Sequence, residues 1–169
     1  MRIPGEPPTK PGFAAWYGLL QVSTRLTERI SAELEARTGL PLAWFELLMQ
    51  LYWSDERRRR MSELADALLL SRGGTTRLVA RVEAAGFVVR EVPPEDRRAT
   101  YAVLTEQGRA AAQAALPVQI ELVHATFHSV LGDEEVGALV RIFDRVLQHN
   151  AWPCKPITEA AATLEAQGR

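Results

Sequence analysis

Arginines and hydroxyl-bearing residues lie along one predicted helix, which begins after Ser71 and ends near Gly86. Between residues 75 and 82, side chains that can pack inward recur at helical spacing, which predicts one buried face. The opposite face carries small, hydroxylated or cationic side chains: Gly73, Thr76, Arg77, Ala80 and Arg81. With Ser71 and Arg72 at the helix start, this face can enter a DNA major groove, where guanidinium groups bond to guanine edges and phosphates.

A second set of cationic groups follows in a predicted β-hairpin, or wing. Segments 87–92 and 99–104 are rich in β-branched and aromatic residues, and a Pro-Pro-Glu-Asp-Arg-Arg connection joins them. Arg97 and Arg98 therefore lie at or just past the tip of the wing. There they can reach phosphates or enter an adjacent minor groove.

Asp96 lies beside these two arginines, so its carboxylate needs a structural explanation. It is expected to pair either with Arg77 of the preceding helix or with its own neighbours. Either ion pair would fix the angle of the wing against the helix. Asp96 is therefore predicted to support the wing.

A short helix precedes the predicted DNA-reading helix. Ser62 is a good N-cap, and Leu64, Ala65 and Leu68 follow at the spacing of a buried helical stripe. Ser71 comes soon afterwards, so a tight turn joins the two helices. Helix, turn, helix and hairpin is the order of elements in a winged helix-turn-helix.

Positive charge is concentrated in this part of the chain. Residues 57–104 contain ten arginines and six acidic residues, a net charge of +4, whereas the whole chain carries −1. This segment contains arginine but no lysine. The planar guanidinium of arginine suits bidentate contacts to guanine or phosphate. For the arginine run 57–60, phosphate contact and a solvated charged loop both remain open.

Three long helical segments lie outside this region. The first covers about residues 13–38. The second begins at the N-cap Thr105 and continues to about residue 131, with a bend expected at Pro117. The third begins at the N-cap Asp133. A short helix, 43–52, follows the first. The long apolar stripes exceed what a small winged helix can cover, which predicts burial against a second copy of the chain.

The stretch from Met61 to Arg109 resembles the winged helix-turn-helix core of the MarR family of bacterial transcription regulators, and the flanking helices fit the family's dimerisation helices. The most specific matches are TRLVxRxExxGxV, residues 76–88, and the Pro-Glu-Asp-Arg-Arg wing with the following Leu-Thr and Gly, residues 94–108. The resemblance covers about residues 13–150.

One departure from the family pattern concerns positions 73 and 74. The family often has Ser or Thr there, facing DNA, whereas this chain has two glycines. Glycine permits close approach of the backbone but supplies no side chain to read bases. Base reading is therefore expected to fall on Arg72, Thr76 and Arg77.

The resemblance implies a mainly α fold with a small α+β part, in which a winged helix-turn-helix lobe is joined to long N- and C-terminal helices that form a homodimerisation lobe. It implies a homodimer on a pseudo-palindromic double-stranded DNA operator, usually acting as a repressor that a small ligand or oxidation releases. Two reading heads would engage half-sites about 10 bp apart. We expect a flexible Pro-rich arm at 1–12, a MarR-type domain at 13–150 and a C-terminal tail at 151–169. Within the domain, the dimerisation helices cover 13–42 and 105–150. The DNA-binding lobe covers 43–104.

Composition favours an ordinary cytoplasmic protein. The 47% hydrophobic content is ample for a core, and the first twelve residues contain four prolines and no apolar run, unlike a signal peptide or membrane span. The single cysteine, Cys154, excludes internal disulfides and fits a reducing compartment. Lys155 beside it could activate the thiol mildly, but a redox role needs partial burial that a tail does not guarantee.

Enzymatic activity is not expected. The chain has no Gly-rich phosphate loop, nucleophile elbow or Cys-His catalytic pairing, and no cofactor is predicted. Glu121, His124 and His128 fall at i, i+3 and i+7 on one helix, a spacing that can supply metal ligands. No residue nearby completes the set, so surface or interface histidines are the alternative.

Large aromatic residues cluster in the first two helical segments. A crevice lined by aromatics is where the resemblance implies that an aromatic or other apolar small ligand binds, with Trp16 and Trp44 as candidate contacts. Core packing is the competing interpretation. A further alternative is that the winged helix serves as a protein-interaction module without sequence-specific DNA binding, since a fold does not determine a function.

Overall fold

The computed structural model describes residues 10–94, 96 and 99–150. Arg97, Arg98 and Cys154 lie outside the described residues, as do most of the predicted arm and the whole predicted tail. The six helices described are α1 Lys10–Thr38, α2 Leu42–Tyr52, α3 Met61–Ala67, α4 Arg72–Ala84, α5 Glu106–Thr126 and α6 Asp133–His149. The three strands described are β1 Arg58–Arg60, β2 Val88–Glu91 and β3 Tyr101–Leu104, and 3-10 turns cover Asp55–Arg57 and His128–Val130.

The strands form one antiparallel sheet in the order β1-β3-β2. In β2 and β3, Val88 lies opposite Leu104, and both side chains are buried. Paired residues share one face of a sheet, so these side chains turn toward the helices. The fold is mainly α with a small sheet, as the sequence predicted.

The core lies where the C-terminal half of α1, the helices α2, α3, α4 and α5, and the sheet meet. The bulkiest completely buried side chains are Leu34, Leu47, Leu48, Leu51, Leu64, Val79, Val82 and Val88. Burial of such a side chain contributes about 1.5–3 kcal/mol relative to exposure. The C-terminal half of α1, α2 and α5 therefore share one core with α3, α4 and the sheet, and this core fixes the position of α4.

Two helices expose apolar faces. The only buried residues of the long helix α1 are Ile30 and Leu34, both in its C-terminal half. Its N-terminal half exposes the large apolar side chains Phe13, Trp16, Tyr17, Leu19, Leu20 and Val22. Helix α6 is strongly amphipathic, yet none of its residues is buried.

Several helix boundaries differ from the sequence-based expectations. α1 begins at Lys10 rather than near residue 13, with Pro11 in its first turn, where a missing N–H is tolerated. α5 ends at Thr126 instead of near residue 131 because the chain turns at Phe127, whose φ/ψ of −129° and −58° is not helical. Pro117 lies inside α5.

Two predicted N-caps are also wrong by one or two residues. α3 is preceded by Arg60 instead of Ser62, because the Glu63 carboxylate accepts a hydrogen bond from the Arg60 backbone N–H at 3.3 Å. α6 is preceded by Gly132 instead of Asp133, and Glu135 accepts from the Gly132 N–H at 2.8 Å. In both helices an acidic side chain in the first turn supplies the cap by reaching back along the chain.

Strand β1 was not anticipated. It consists entirely of arginine, Arg58–Arg60, and pairs with β3 along the edge of the sheet. Within the described ranges, no helix is long and apolar enough to cross a membrane.

Candidate DNA-binding surface

Helix α4 has the orientation that its sequence pattern predicts. Thr75, Leu78, Val79 and Val82 are buried. Residues on the opposite side are exposed: Arg72, Gly73, Thr76, Arg77 and Arg81. The Ser71 hydroxyl accepts a hydrogen bond from the Gly74 N–H at 3.1 Å, which confirms the predicted N-cap. A continuous cationic and hydroxylated face therefore projects from the lobe.

The two glycines at the start of α4 have different surroundings. A Cβ on Gly74 would lie 3.2 Å from the Ser71 hydroxyl oxygen, so the capping interaction limits what can occupy that position. A Cβ on Gly73 would meet only a terminal nitrogen of Arg77, at 3.8 Å. Position 73 is thus an open place on the DNA-facing surface, next to the guanidinium of Arg77.

A concave space of about 470 Å³, here called the notch, separates the start of α4 from the wing. Its walls include the arginines Arg60, Arg72 and Arg90, the hydroxyl group of Thr76 and the carboxylate of Asp96. Arg60 and Arg90 form ion pairs with Asp96 and Glu83, so the net positive charge at the notch comes from Arg72. The notch can therefore accept an anionic backbone lying between helix and wing.

The wing is attached to the end of α4 by Glu83. The Glu83 carboxylate accepts from the Arg90 backbone N–H at 3.0 Å and from Arg90 Nε at 2.8 Å. Nη2 of the same arginine lies 2.7 Å from Oε2. The pKa of Glu83 is lowered below its usual value, mainly by the side-chain hydrogen bond from Arg90 and further by the backbone one. Because Glu83 is in α4 and Arg90 in β2, the pair connects recognition helix and wing directly.

Asp96 pairs with Arg60, a member of the arginine run 57–60 that was not predicted as its partner. Its Oδ2 lies 3.6 Å from Nη2 of Arg60, in β1. The sequence predicts Arg77 or the immediate neighbours of Asp96 as its partners, and strand β1 brings Arg60 to it instead of Arg77. Its role as wing support remains a prediction, and the expected contacts of Arg97 and Arg98 concern residues outside the described part.

Helix α5 is joined to the end of the recognition helix by two close contacts. The Thr105 hydroxyl donates to the Gly86 carbonyl oxygen at 2.8 Å and accepts from the Gly108 N–H at 3.0 Å. Gly86 has a left-handed φ of 82°, as its predicted place after the helix requires. Gly108 is buried against the backbone of Phe87, where a Cβ would fall 2.0 Å from the carbonyl oxygen. The recognition helix is thus held at its C-terminal end by the helix that leads out of the lobe.

The residues considered for metal binding have other contacts. Glu121 accepts two hydrogen bonds from Arg37, at 3.1 and 2.7 Å, which lower the pKa of Glu121. The rings of His124 and His128 lie 6.5 Å apart, edge to face. Within the described residues no group of three His, Cys, Asp or Glu side chains is arranged to hold a metal ion.

The two candidate effector contacts differ in environment. Trp44 is half-buried, packs against the core and meets Phe87 edge-on with ring centroids 6.1 Å apart. Trp16 lies in the exposed apolar half of α1 and is 56% exposed. Trp44 therefore lies at the edge of the core, whereas Trp16 belongs to a surface that α1 leaves uncovered. Their role as effector contacts remains a prediction.

The comparisons with known proteins agree with this geometry. The family model described as the MarR family matches residues 38–99. An uncharacterized HTH-type transcriptional regulator from Bacillus cereus is 31% identical over 139 residues, which cover 82% of this chain and 90% of that protein.

Two solved structures from Streptomyces coelicolor have the same fold. AbsC, a MarR family transcriptional regulator, is 31% identical with a TM-score of 0.79, and the match covers 85% of this chain and 96% of AbsC. A second MarR family regulator, solved in complex with DNA, is 29% identical with a TM-score of 0.81, covering 88% of this chain and 94% of that one.

Proposed function

This chain belongs to the MarR family of DNA-binding transcription regulators, which are not enzymes, and on that premise we propose that it is a homodimeric repressor of a pseudo-palindromic operator. The observation that carries the proposal is the exposed face of α4, where Arg72, Thr76, Arg77 and Arg81 project beside the cationic notch. Such a face supplies base contacts and phosphate contacts from one rigid element.

The homodimer is supported by the apolar surface that one subunit leaves exposed. The first half of α1 presents Trp16 and Tyr17 to solvent, and α6 presents Ile142 and Val146 although it has no buried residue. Exposed apolar faces of this extent on two long helices favour a partner, and two-fold symmetry is the usual arrangement. A symmetric pair would also present two recognition helices to two half-sites.

We further propose that a small aromatic or other apolar effector releases the DNA. Trp16 and Trp44 are the proposed contacts. Trp44 packs against Phe87, the residue between the recognition helix and β2, so a ligand that displaces its ring would act close to the joint with α5. Tryptophan fluorescence of the wild type, Trp16→Phe and Trp44→Phe, titrated with monocyclic phenols and benzoates, tests this contact.

The proposal as a whole is tested by selecting DNA from a random-sequence pool with the full chain. A homodimeric reader selects two inverted half-sites whose centres lie about 10 bp apart or a multiple of that distance. Its affinity falls steeply as the salt concentration rises, because phosphate contacts release counterions. Repression is then measured by placing the selected site in front of a reporter gene, with and without the regulator.

The alternative, a protein-interaction module, predicts a different result. No sequence would be enriched, and DNA affinity would be weak for every duplex tested. An enriched but unpaired half-site would contradict the dimer while retaining the DNA-binding function.

A further inference from the structure

The guanidinium of Arg60 joins three parts of the DNA-binding lobe. Arg60 is the last residue of β1 and directly precedes α3. It lies opposite Tyr101 in the sheet, and its Nε donates to the Tyr101 hydroxyl at 2.8 Å. Its Nη2 lies 3.6 Å from the Asp96 carboxylate. One planar group therefore connects the edge strand, the first residue of β3 and the wing connection.

The geometry of arginine makes this double attachment possible. The guanidinium presents five N–H donors in a fixed plane, so Nε and Nη2 can bond to different acceptors at the same time. The group also lies over the Tyr101 ring, 5.5 Å from its centroid. A lysine would keep the positive charge but could not hold both acceptors with the same fixed geometry.

Asp96 is a central point of the wing connection. Its backbone N–H donates to the Pro93 carbonyl at 3.2 Å, and its own carbonyl accepts from the Ala99 N–H at 3.1 Å. Immediately beside Arg60, the Met61 N–H donates to the Thr100 carbonyl at 2.9 Å. A contact with the Asp96 side chain therefore restrains two local turns of the wing connection.

Arg58 provides a natural comparison. It lies on the same face of β1, and its guanidinium is 5.2 Å from the same ring centroid. Its ion pair, however, is with Glu56 at 2.6 Å, in the turn before β1. The two arginines thus share charge, strand and aromatic contact, and differ in the attachment of Arg60 to the wing.

From this arrangement we infer that Arg60 is a positioning residue that sets the wing on DNA, with the Tyr101 hydroxyl and Asp96 as its two points of attachment. The inference rests on the proposed DNA-binding function. The role of Arg60 is indirect, because two of its donor groups are directed at the protein. Arg60 contributes to affinity by holding the wing in a fixed position relative to the recognition helix.

The test uses the full chain and a duplex that the wild type has selected from a random pool. Arg60→Lys and Tyr101→Phe are compared with Arg58→Lys by titration and hydroxyl-radical footprinting. We expect the first two variants to lose affinity about ten-fold, the size expected when a hydrogen bond to a charged group is lost. Their footprints should lose protection at the flanking positions covered by the wing and keep it at the positions read by α4. Arg58→Lys should keep both.

A mutational cycle checks the second attachment. Asp96→Asn should weaken binding less in the Arg60→Gln background than in the wild type, because the neutral amide of Arg60→Gln can no longer form the ion pair. Equal footprints for Arg60→Lys and Arg58→Lys, or a uniform loss of protection that includes the α4 positions, would overturn the inference. A wild type that selects and protects no DNA would overturn the proposed function itself.

Discussion

The Thr105 hydroxyl donates to the Gly86 carbonyl oxygen at 2.8 Å, and the Thr105 N–H donates to the Phe87 carbonyl at 3.1 Å. Thr105 is the N-cap of α5, whereas Gly86 and Phe87 directly follow the recognition helix region. The proposed dimerisation side and the recognition helix are therefore connected by short hydrogen bonds instead of a flexible linker. A change in the orientation of α5 would be transmitted to α4 through this joint.

Gly108 is the residue at which this joint tolerates least change. A Cβ there would lie 2.0 Å from the Phe87 carbonyl oxygen and 2.9 Å from a methyl carbon of Leu104. We expect Gly108→Ala to destabilise the fold by about 2–4 kcal/mol, because backbone must move to admit the methyl group. Chemical denaturation measures the loss.

Gly73→Ala is the matched control for that substitution. It also adds one methyl group to a helical glycine, but into open space. It should raise stability by about 0.5–1 kcal/mol through helix propensity. Equal effects of the two alanines would show that the Gly108 contact does not constrain the joint.

The Glu83–Arg90 pair makes stability depend on pH. The pKa of Glu83 is lowered from the usual 4.5, so its stabilising contribution is present above that value and is lost as the pH falls through the lowered pKa. Glu83→Gln should cost about 0.5–1 kcal/mol at neutral pH, a value typical of accessible ion pairs, and progressively less in acid.

Unfolding free energies between pH 3 and 7 for the wild type and Glu83→Gln measure this effect. Glu91→Gln, an exposed glutamate in the same hairpin, is the control. A difference between wild type and Glu83→Gln that stays constant over the whole pH range would contradict the assignment.

Leu69 occupies a strained conformation in the turn between α3 and α4. Its φ is 54°, in the left-handed region, and its side chain is 85% exposed. A left-handed conformation costs a residue with a Cβ about 1–2 kcal/mol, and the exposed side chain gains little from burial. Leu69→Gly and Leu69→Asn should therefore raise thermal stability, by about 0.5–1 kcal/mol. Leu70→Gly is the control, because φ is not positive at that position, and it should lower thermal stability. If Leu70→Gly stabilised the protein as the two Leu69 variants do, the gain would not come from relieving strain at Leu69.

Arg77 is expected to contribute directly to base reading. Arg77→Ala should weaken binding to the selected operator by about 1–3 kcal/mol per half-site and relax the preference at the base pair concerned. Arg29→Ala removes an exposed arginine of α1 and controls for net charge. Repeating the DNA selection with both variants measures the preference. If Arg77→Ala selects the wild-type sequence with unchanged stringency, base reading lies elsewhere on α4.

The apolar face of α6 should govern subunit association. Ile142 and Val146 are 44% and 48% exposed in one subunit. Because burial of such a side chain contributes about 1.5–3 kcal/mol, Ile142→Asp or Val146→Asp should raise the dimer dissociation constant at least about ten-fold. Sedimentation equilibrium measures that constant, with Gln148→Asp as the control. A monomeric wild type would refute the dimer outright.

Helix α4 and the wing were predictable because their signals are local. A serine cap, an inward stripe and a glycine after the helix define α4 within a short stretch of sequence, and β-branched residues define the hairpin. The structure confirms the cap at Ser71 and the buried face of Thr75, Leu78, Val79 and Val82.

The contacts that support the wing were not predictable in the same way. Arg60 and Tyr101 are 41 residues apart and meet only because β1 pairs with β3. Three consecutive arginines have no strand-like pattern, so their pairing depends on the neighbouring strand and not on their own preference. The pairing of Asp96 with Arg60 was not predicted for the same reason.

Position 73 has one more consequence, for how such a regulator can change its target. Because a Cβ there meets only the end of a flexible arginine, a substitution at this codon would add a side chain to the DNA-facing surface without disturbing the core. If the proposed DNA-binding face is correct, a side chain at position 73 would change operator preference without changing the folding of the chain. A duplicated copy of the gene could acquire a different set of binding sites in a single mutational step, with no loss of stability to repair afterwards.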